Sequence, residues 1–146
     1  MFEKDKNSVP EKSIKKPVVS DEMAQAEIES WLDFKKIDEA QREDQESAIK
    51  ALISYVKSGN LELNADKSFT HNLKFPIETA GISKLTYKAR ITEREITQKL
   101  HGIKGDDGDG RLAAHIAALT GEVIGIVRAM DKEDFKIARS IAVFFV

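Results

Sequence analysis

Cysteine is absent from the sequence, which excludes a disulfide framework and any thiolate metal site. Long apolar runs are absent as well, since none approaches the roughly 20 residues that cross a bilayer. The opening residues are mostly polar or charged and lack the apolar segment of a secretory signal. We therefore expect a protein that remains in the cytoplasm where it is made and does not bind a membrane.

A strong charge of one sign is also missing. The 23 basic and 25 acidic residues nearly balance and give a net charge of −2. This balance provides no field that would attract nucleic acid, so the composition argues against nucleic-acid binding. The 33% charged and 41% hydrophobic residues are typical of a globular protein, and 146 residues fit one domain.

The sequence contains no motif typical of catalysis, metal binding or cofactor binding. His71, His101 and His115 are isolated from one another and lack the His/Cys spacing of a zinc site. We expect His71 and His115 to be packed and hydrogen-bonded. The glycine- and aspartate-rich loop 104–110 does not match the calcium-binding register, and neither a phosphate loop nor a Gly-x-Ser-x-Gly elbow is present. The sequence therefore predicts a protein that is not an enzyme, with no catalytic, metal-binding or cofactor-binding residues.

The first 60 residues divide into a tail and a helical segment. Residues 1–19 combine lysines and prolines with few apolar residues, which predicts a disordered tail. Residues 20–60 predict helices, because Ser20 precedes two acids as an N-cap and Gly59 suits the end of a helix. Between the helices, the polar stretch 38–47 fits either a solvated helical turn or a break. The expected apolar stripes are Ala24, Ile28, Trp31 and Leu32, then Ile49, Leu52, Ile53 and Val56.

The apolar period changes from 3.6 to 2 after residue 60, which predicts strands. A short strand at 61–63 and two longer strands, joined by short turns, predict an antiparallel meander. Pro76 is expected to end the middle strand, because proline cannot donate to the ladder. The predicted inward residues are Phe69, His71, Leu73 and Phe75 in the middle strand, and Leu85, Tyr87, Ala89 and Ile91 in the third.

Four short helices are predicted after the strands. The segment Thr92-Glu-Arg-Glu95 matches a capping box, and Thr120 and Asp131 are expected to cap the last two helices. The predicted fold class is α+β, a small three-stranded antiparallel sheet flanked by N-terminal helices and a C-terminal cluster of short helices. Residues 61–146, the strand meander with the helical cluster, are predicted to form one domain.

Two apolar patches are candidates for partner binding, because exposed apolar surface on a small domain usually marks such a site. One patch is Trp31 with Phe34, and the other comprises Ile141, Phe144 and Phe145. The alternative is that both patches complete the core, which we favour for Ile141 and leave open for residues 144–146. Removing residues 144–146 is predicted to abolish partner binding and to retain the fold.

An ordered set of short motifs runs through residues 72–146. It comprises Phe75-Pro-Ile, Gly81-Ile82, the segment Leu85–Thr92, Leu112-Ala-Ala, Ala118-Leu-Thr-Gly121, Met130-Asp-Lys-Glu-Asp-Phe135 and Phe144-Phe145. In order and spacing, this set resembles the small tail assembly chaperones of contractile-tailed phages. Residues 1–60 have no counterpart in that family.

The resemblance implies a protein that binds and solubilises the tape-measure protein during tail assembly in the host cytoplasm and is absent from the finished particle. The expected partner is therefore the tape-measure protein or another tail protein, held by helix-in-groove contacts; homo-oligomerisation stays open. Two alternatives remain. One is a structural tail or baseplate adaptor of the virion, and the less favoured one is a nucleic-acid-binding regulator that uses the lysine-rich N-terminal arm.

Overall fold

The computed structural model describes residues 19–146. The predicted disordered tail therefore lies outside the described residues except for Val19, which is half-buried against the core. The described chain contains seven helices and a three-stranded antiparallel sheet, and the predicted α+β class is confirmed. In chain order the elements are α1 (Asp21–Phe34), α2 (Glu39–Asp44), α3 (Glu46–Ser58), β1 (Leu61–Leu63), β2 (Phe69–Ile77), β3 (Ile82–Tyr87), α4 (Glu93–Leu100), α5 (Gly108–Thr120), α6 (Ile124–Arg128) and α7 (Lys132–Ala142).

The N-terminal helices begin and end where their caps predict. The Ser20 hydroxyl accepts from the Met23 amide at 3.2 Å, and Gly59 ends α3 with a φ of 85°. The polar stretch forms the short helix α2, none of whose side chains is buried. Both predicted stripes face the core, with the first fully buried and the second buried at Leu52 and Val56 and half-buried at its other two positions.

The three strands form the predicted meander in the order β1-β2-β3. Leu61 pairs with His71, and His71 pairs with Leu85, so the buried side chains of the three strands share one face. Gly81 closes the β2–β3 turn with a φ of 66°, a left-handed conformation that glycine adopts without a Cβ clash.

Strand β2 departs from the predicted alternation at its far end. Its register with β3 shifts between Asn72 and Ile77, and the strand continues past Pro76 to Ile77. The prediction that Pro76 ends the strand was therefore wrong, because the irregular stretch removes the ladder bond that proline would break. The predicted burial of Phe75 was wrong for the same reason, since its side chain is 54% exposed.

The C-terminal cluster has the four predicted helices. The capping box at Thr92 and Glu95 is complete, and the Asp131 side chain caps α7 by accepting from the Glu133 amide. The predicted cap at Thr120 was wrong. This residue is the last of α5, and its hydroxyl donates back to the Ile116 carbonyl at 2.9 Å.

One hydrophobic core joins the helices to one face of the sheet. Large side chains from α1, the sheet and α7 belong to the same buried cluster, as do the small residues of α5. Trp31, Phe69 and Ile137 are representative, and each is at most 1% exposed. Residues 20–60 therefore pack on the same core as residues 61–146.

Candidate functional site

The two apolar patches predicted as partner sites meet in the folded chain. The Trp31 ring lies edge-on to Phe144, with ring centroids 5.4 Å apart and planes at 88°, and lies 5.1 Å from Phe69. Trp31, Ile141 and Phe144 are at most 5% exposed. These three residues therefore lie in the core of the described chain, and any contact with a partner would require the C-terminal segment to move.

The rim of this aromatic cluster is accessible. Phe34 is 39% exposed at the end of α1, and Val146 is 72% exposed. Phe145 is half-buried, with its ring 6.3 Å from that of Trp31. The partner-binding role predicted for Phe34 and Phe145 is thus compatible with where they lie, and it stays a prediction.

A lysine covers the outer face of the cluster. The Lys35 ammonium lies 3.4 Å from the centroid of the Phe145 ring and 5.8 Å from that of Trp31, a cation–π arrangement. Burial and, to a smaller extent, the nearby Arg90 charge lower the pKa of Lys35 to about 8. Apolar patterning did not identify this lysine, because its position depends on the final turn of the chain folding back over α1.

A second arrangement is a buried polar network between the sheet and α7. The Asp134 carboxylate accepts from the backbone amides of Lys74 at 2.8 Å and Phe75 at 2.9 Å, and the His71 ring lies 3.2 Å away. On its other side, His71 Nδ1 lies 2.8 Å from the Tyr87 hydroxyl. His71, Asp134 and Tyr87 are all 0% exposed.

Hydrogen-bond capacity assigns the donors in this network. A carboxylate only accepts, so the neutral imidazole donates through Nε2–H to Asp134 and accepts at Nδ1 from the Tyr87 hydroxyl. Burial lowers the pKa of His71, an effect opposed by the Asp134 charge, and burial followed by that charge raises the pKa of Tyr87. Every strong donor and acceptor is thus satisfied, without an open position for a substrate.

The network lies at the irregular part of β2. Beyond Asn72, where the pairing with β1 has ended and the register with β3 shifts, the Lys74 and Phe75 amides donate to the Asp134 carboxylate instead of to a strand. The expectation that His71 is packed and hydrogen-bonded is confirmed. The burial of Asp134 was missed, although it lies three, four and seven residues before Ile137, Ala138 and Ile141, the spacing of one helix face.

The remaining features of the described residues offer little chemistry. His115 bonds locally, with Nδ1–H donating to the Arg111 carbonyl of the preceding turn at 2.8 Å. Within residues 19–146, no group of three or more His, Asp or Glu side chains is placed to hold a metal ion. In the same range no helix is long and apolar enough to cross a membrane. Two open clefts flank β1 and share Glu27 and Leu63, but neither gathers a set of reactive groups.

The fold and site together define a small α+β domain with a buried aromatic cluster, whose rim is accessible, and a buried polar network. Comparison with protein-family models, with curated proteins and with solved structures found no match for this chain.

Proposed function

We propose that this chain is a phage tail assembly chaperone that binds and solubilises the tape-measure protein by protein–protein contact. The starting point is the ordered motif set of residues 72–146, which resembles that family. One observation carries the proposal beyond the motifs: two of them, far apart in sequence, meet in the fold. The Asp134 carboxylate of the Met130–Phe135 motif accepts from the backbone amide of Phe75, the first residue of the Phe75-Pro-Ile motif, at 2.9 Å.

The physical task fits a domain of this kind. A long helical protein that waits for its tube exposes apolar faces that aggregate, and small domains with accessible aromatic surface can cover them. The rim residues Phe34, Phe145 and Val146 supply such surface beside a stable core. Tape-measure protein, rather than a small molecule or a metal, is therefore the partner that we propose.

The direct test is co-expression with the tape-measure protein encoded by the same genome. We expect the tape measure to shift from the insoluble to the soluble fraction and to co-purify with this chain. A matched variant is Phe34→Ser with Val146→Ser, which removes exposed apolar side chains of the rim, leaves the core intact and should weaken the effect. A tape measure that stays equally insoluble with and without this chain would refute the proposal.

A structural role in the virion is separated from a chaperone role by the composition of the particle. A chaperone that leaves during assembly should be missing from the mass spectrum of purified particles, whereas a tail or baseplate adaptor should be present in fixed proportion to known tail proteins. The nucleic-acid alternative predicts binding to duplex DNA that weakens steeply with salt. We expect no such binding, because the net charge of the chain is −2.

A further inference from the structure

The rim of the aromatic cluster carries three neighbouring cations. Lys35 lies over Phe145, Lys36 follows it in a left-handed conformation with a φ of 59°, and Arg90 is close enough to act on the Lys35 charge. Lys36 and Arg90 are exposed. Within the described residues, none of the three forms an ion pair.

Two other cations of the described chain are ion-paired, unlike those of the rim. Arg42 contacts both Glu29 and Asp33 at 2.9 Å, and Lys88 contacts Glu95 at 2.8 Å. Other exposed lysines, such as Lys84, also have no acidic partner within residues 19–146. Lys84 extends from the polar face of the sheet, however, whereas the rim cations border exposed aromatic surface.

Two effects disfavour the charge of Lys35, although the Phe145 ring beneath it favours a cation. Its ammonium is partly withdrawn from water and is repelled by Arg90, and both effects lower the pKa of Lys35. A negative charge placed beside it would offset both effects. An anionic neighbour should therefore stabilise the charged form of Lys35 more than it would stabilise that of an isolated surface lysine.

We propose that the surface formed by Phe34, Lys35, Lys36, Arg90, Phe145 and Val146 binds an acidic amphipathic helix of the partner protein. The apolar face of that helix would cover Phe34, Phe145 and Val146, and its carboxylates would reach the three cations. This inference rests on the proposed function and adds the surface and the charge of the partner segment.

An acidic helix fits this surface better than nucleic acid does. Proteins that hold duplex DNA commonly neutralise about six to ten phosphates, whereas the rim offers three cations. The apolar part of the rim would also have no counterpart on a phosphate backbone. Aromatic residues beside a few charges are typical of protein-binding surfaces.

Charge reversal at the two exposed cations tests the proposal without disturbing the core. The variant is Lys36→Glu with Arg90→Glu, and the matched control is Lys84→Glu with Lys104→Glu, which changes the same net charge at two other exposed positions. Lys35→Met is a third variant, because it keeps an apolar stem over Phe145 and removes the charge. Circular dichroism would verify that all variants are folded.

The probes are a synthetic amphipathic peptide of leucine and glutamate, its leucine and lysine counterpart, and a DNA duplex, each followed by fluorescence anisotropy. We expect the glutamate peptide to bind the wild-type chain. Its affinity should fall by about tenfold in the rim double variant and stay unchanged in the control variant. In Lys35→Met the affinity should fall by a smaller factor. Equal affinity in the rim and control variants, or preference for the lysine peptide or the duplex, would overturn the inference.

Co-expression of the same variants with the tape-measure protein separates the two proposals. If the wild-type chain solubilises the tape measure and the rim variant does so equally well, the chaperone function stands and this surface is wrong. If the wild-type chain has no effect, the function itself fails. If the wild-type chain solubilises the tape measure and the rim variant does not, the result supports both the function and the surface.

Discussion

Asp134 is a buried carboxylate on which two elements of the fold depend. It receives two backbone amides of β2 and the ring of His71, and it is 0% exposed. Removing one partner of such a buried set leaves other groups desolvated and unsatisfied. The residue should therefore contribute to stability through the bonds it completes, although a buried charge itself is costly.

We predict that Asp134→Asn destabilises the protein by about 3 kcal/mol. The asparagine amide would present a donor where the Lys74 and Phe75 amides already donate. Urea unfolding measures the loss, with Glu133→Gln as the control, because Glu133 is the exposed preceding residue of the same helix. Equal stability of the two variants would contradict the assignment of Asp134 as the anchor of β2.

His71 should make stability depend on pH in a defined window. Burial lowers its pKa in the folded protein below the ordinary value of about 6.5, so the unfolded chain binds more protons just below that pH. The stability contributed by the neutral ring is complete above about pH 6.5 and is lost as the pH falls towards the folded pKa. The charged or titratable groups that face the ring are Asp134, Tyr87 and Lys74.

The prediction is that the free energy of unfolding falls as the pH is lowered from 6.5, and that His71→Gln flattens this slope. His101→Gln is the control, because it removes an exposed imidazole and should leave the slope unchanged. Denaturant unfolding at several pH values gives the slopes. A wild-type slope that survives in His71→Gln would assign the pH dependence to other groups.

Residue burial was predictable where the periodicity was clear. The stripe of α1 at Ala24, Ile28, Trp31 and Leu32 is fully buried, because helical spacing places these side chains on one face. The same spacing places Asp134 on the buried face of α7 with Ile137 and Ile141, but its partners on β2 became visible only in the folded chain. Lys35 was missed for a related reason, since its aromatic partner Phe145 lies at the other end of the chain.

At the scale of elements, most caps and turns were predictable, and the cap expected at Thr120 was the exception. The capping box of α4 and the terminal glycine of α3 act locally, so their residues suffice to identify them. The far end of β2 was less predictable. Proline is tolerated there because the pairing with β1 has ended and the register with β3 shifts, and a neighbouring amide of this stretch donates to α7.

The end of α7 allows a graded truncation. Val146 is 72% exposed, Phe145 is half-buried under Lys35, and Phe144 is 5% exposed against Trp31. Loss of Val146 alone should change stability by less than about 0.5 kcal/mol. Loss of residues 145–146 should cost about 1 kcal/mol more through the cation–π contact, and loss of residues 144–146 about 3–5 kcal/mol.

The expected stability losses follow from how deeply each side chain is buried. They differ from the sequence-based prediction that removal of all three residues retains the fold. Thermal unfolding of the three truncated chains would measure these losses. Phe144→Leu in the full-length chain is the matched control. It keeps apolar volume beside Trp31 and should retain most of the stability that the truncation loses. A chain lacking residues 144–146 with wild-type stability would show that Phe144 does not belong to the core.

At the scale of the whole molecule, the N-terminal helices and the remainder of the chain share one core. Residues 20–60 supply the largest side chain of that core, Trp31, which packs on Phe69 of the sheet and Phe144 after α7. The sequence resemblance covers only residues 72–146, so it gave no indication of this dependence. Composition and periodicity predicted the fold class, but the contacts between distant helices required the folded chain.

This shared core predicts that residues 61–146 do not fold as an independent unit. Without α1 and α3 the sheet and α7 would expose the surfaces that now contact Trp31, Leu32 and Leu52. Each large apolar side chain removed costs about 2–5 kcal/mol, and three together approach the whole stability of a domain of this size. The control is residues 19–146, which contain every described core residue and should unfold in one cooperative transition. Heteronuclear NMR of the fragment 61–146 should show poorly dispersed amide signals. A dispersed spectrum with cooperative unfolding would instead establish that the strand meander and C-terminal helices form a domain by themselves.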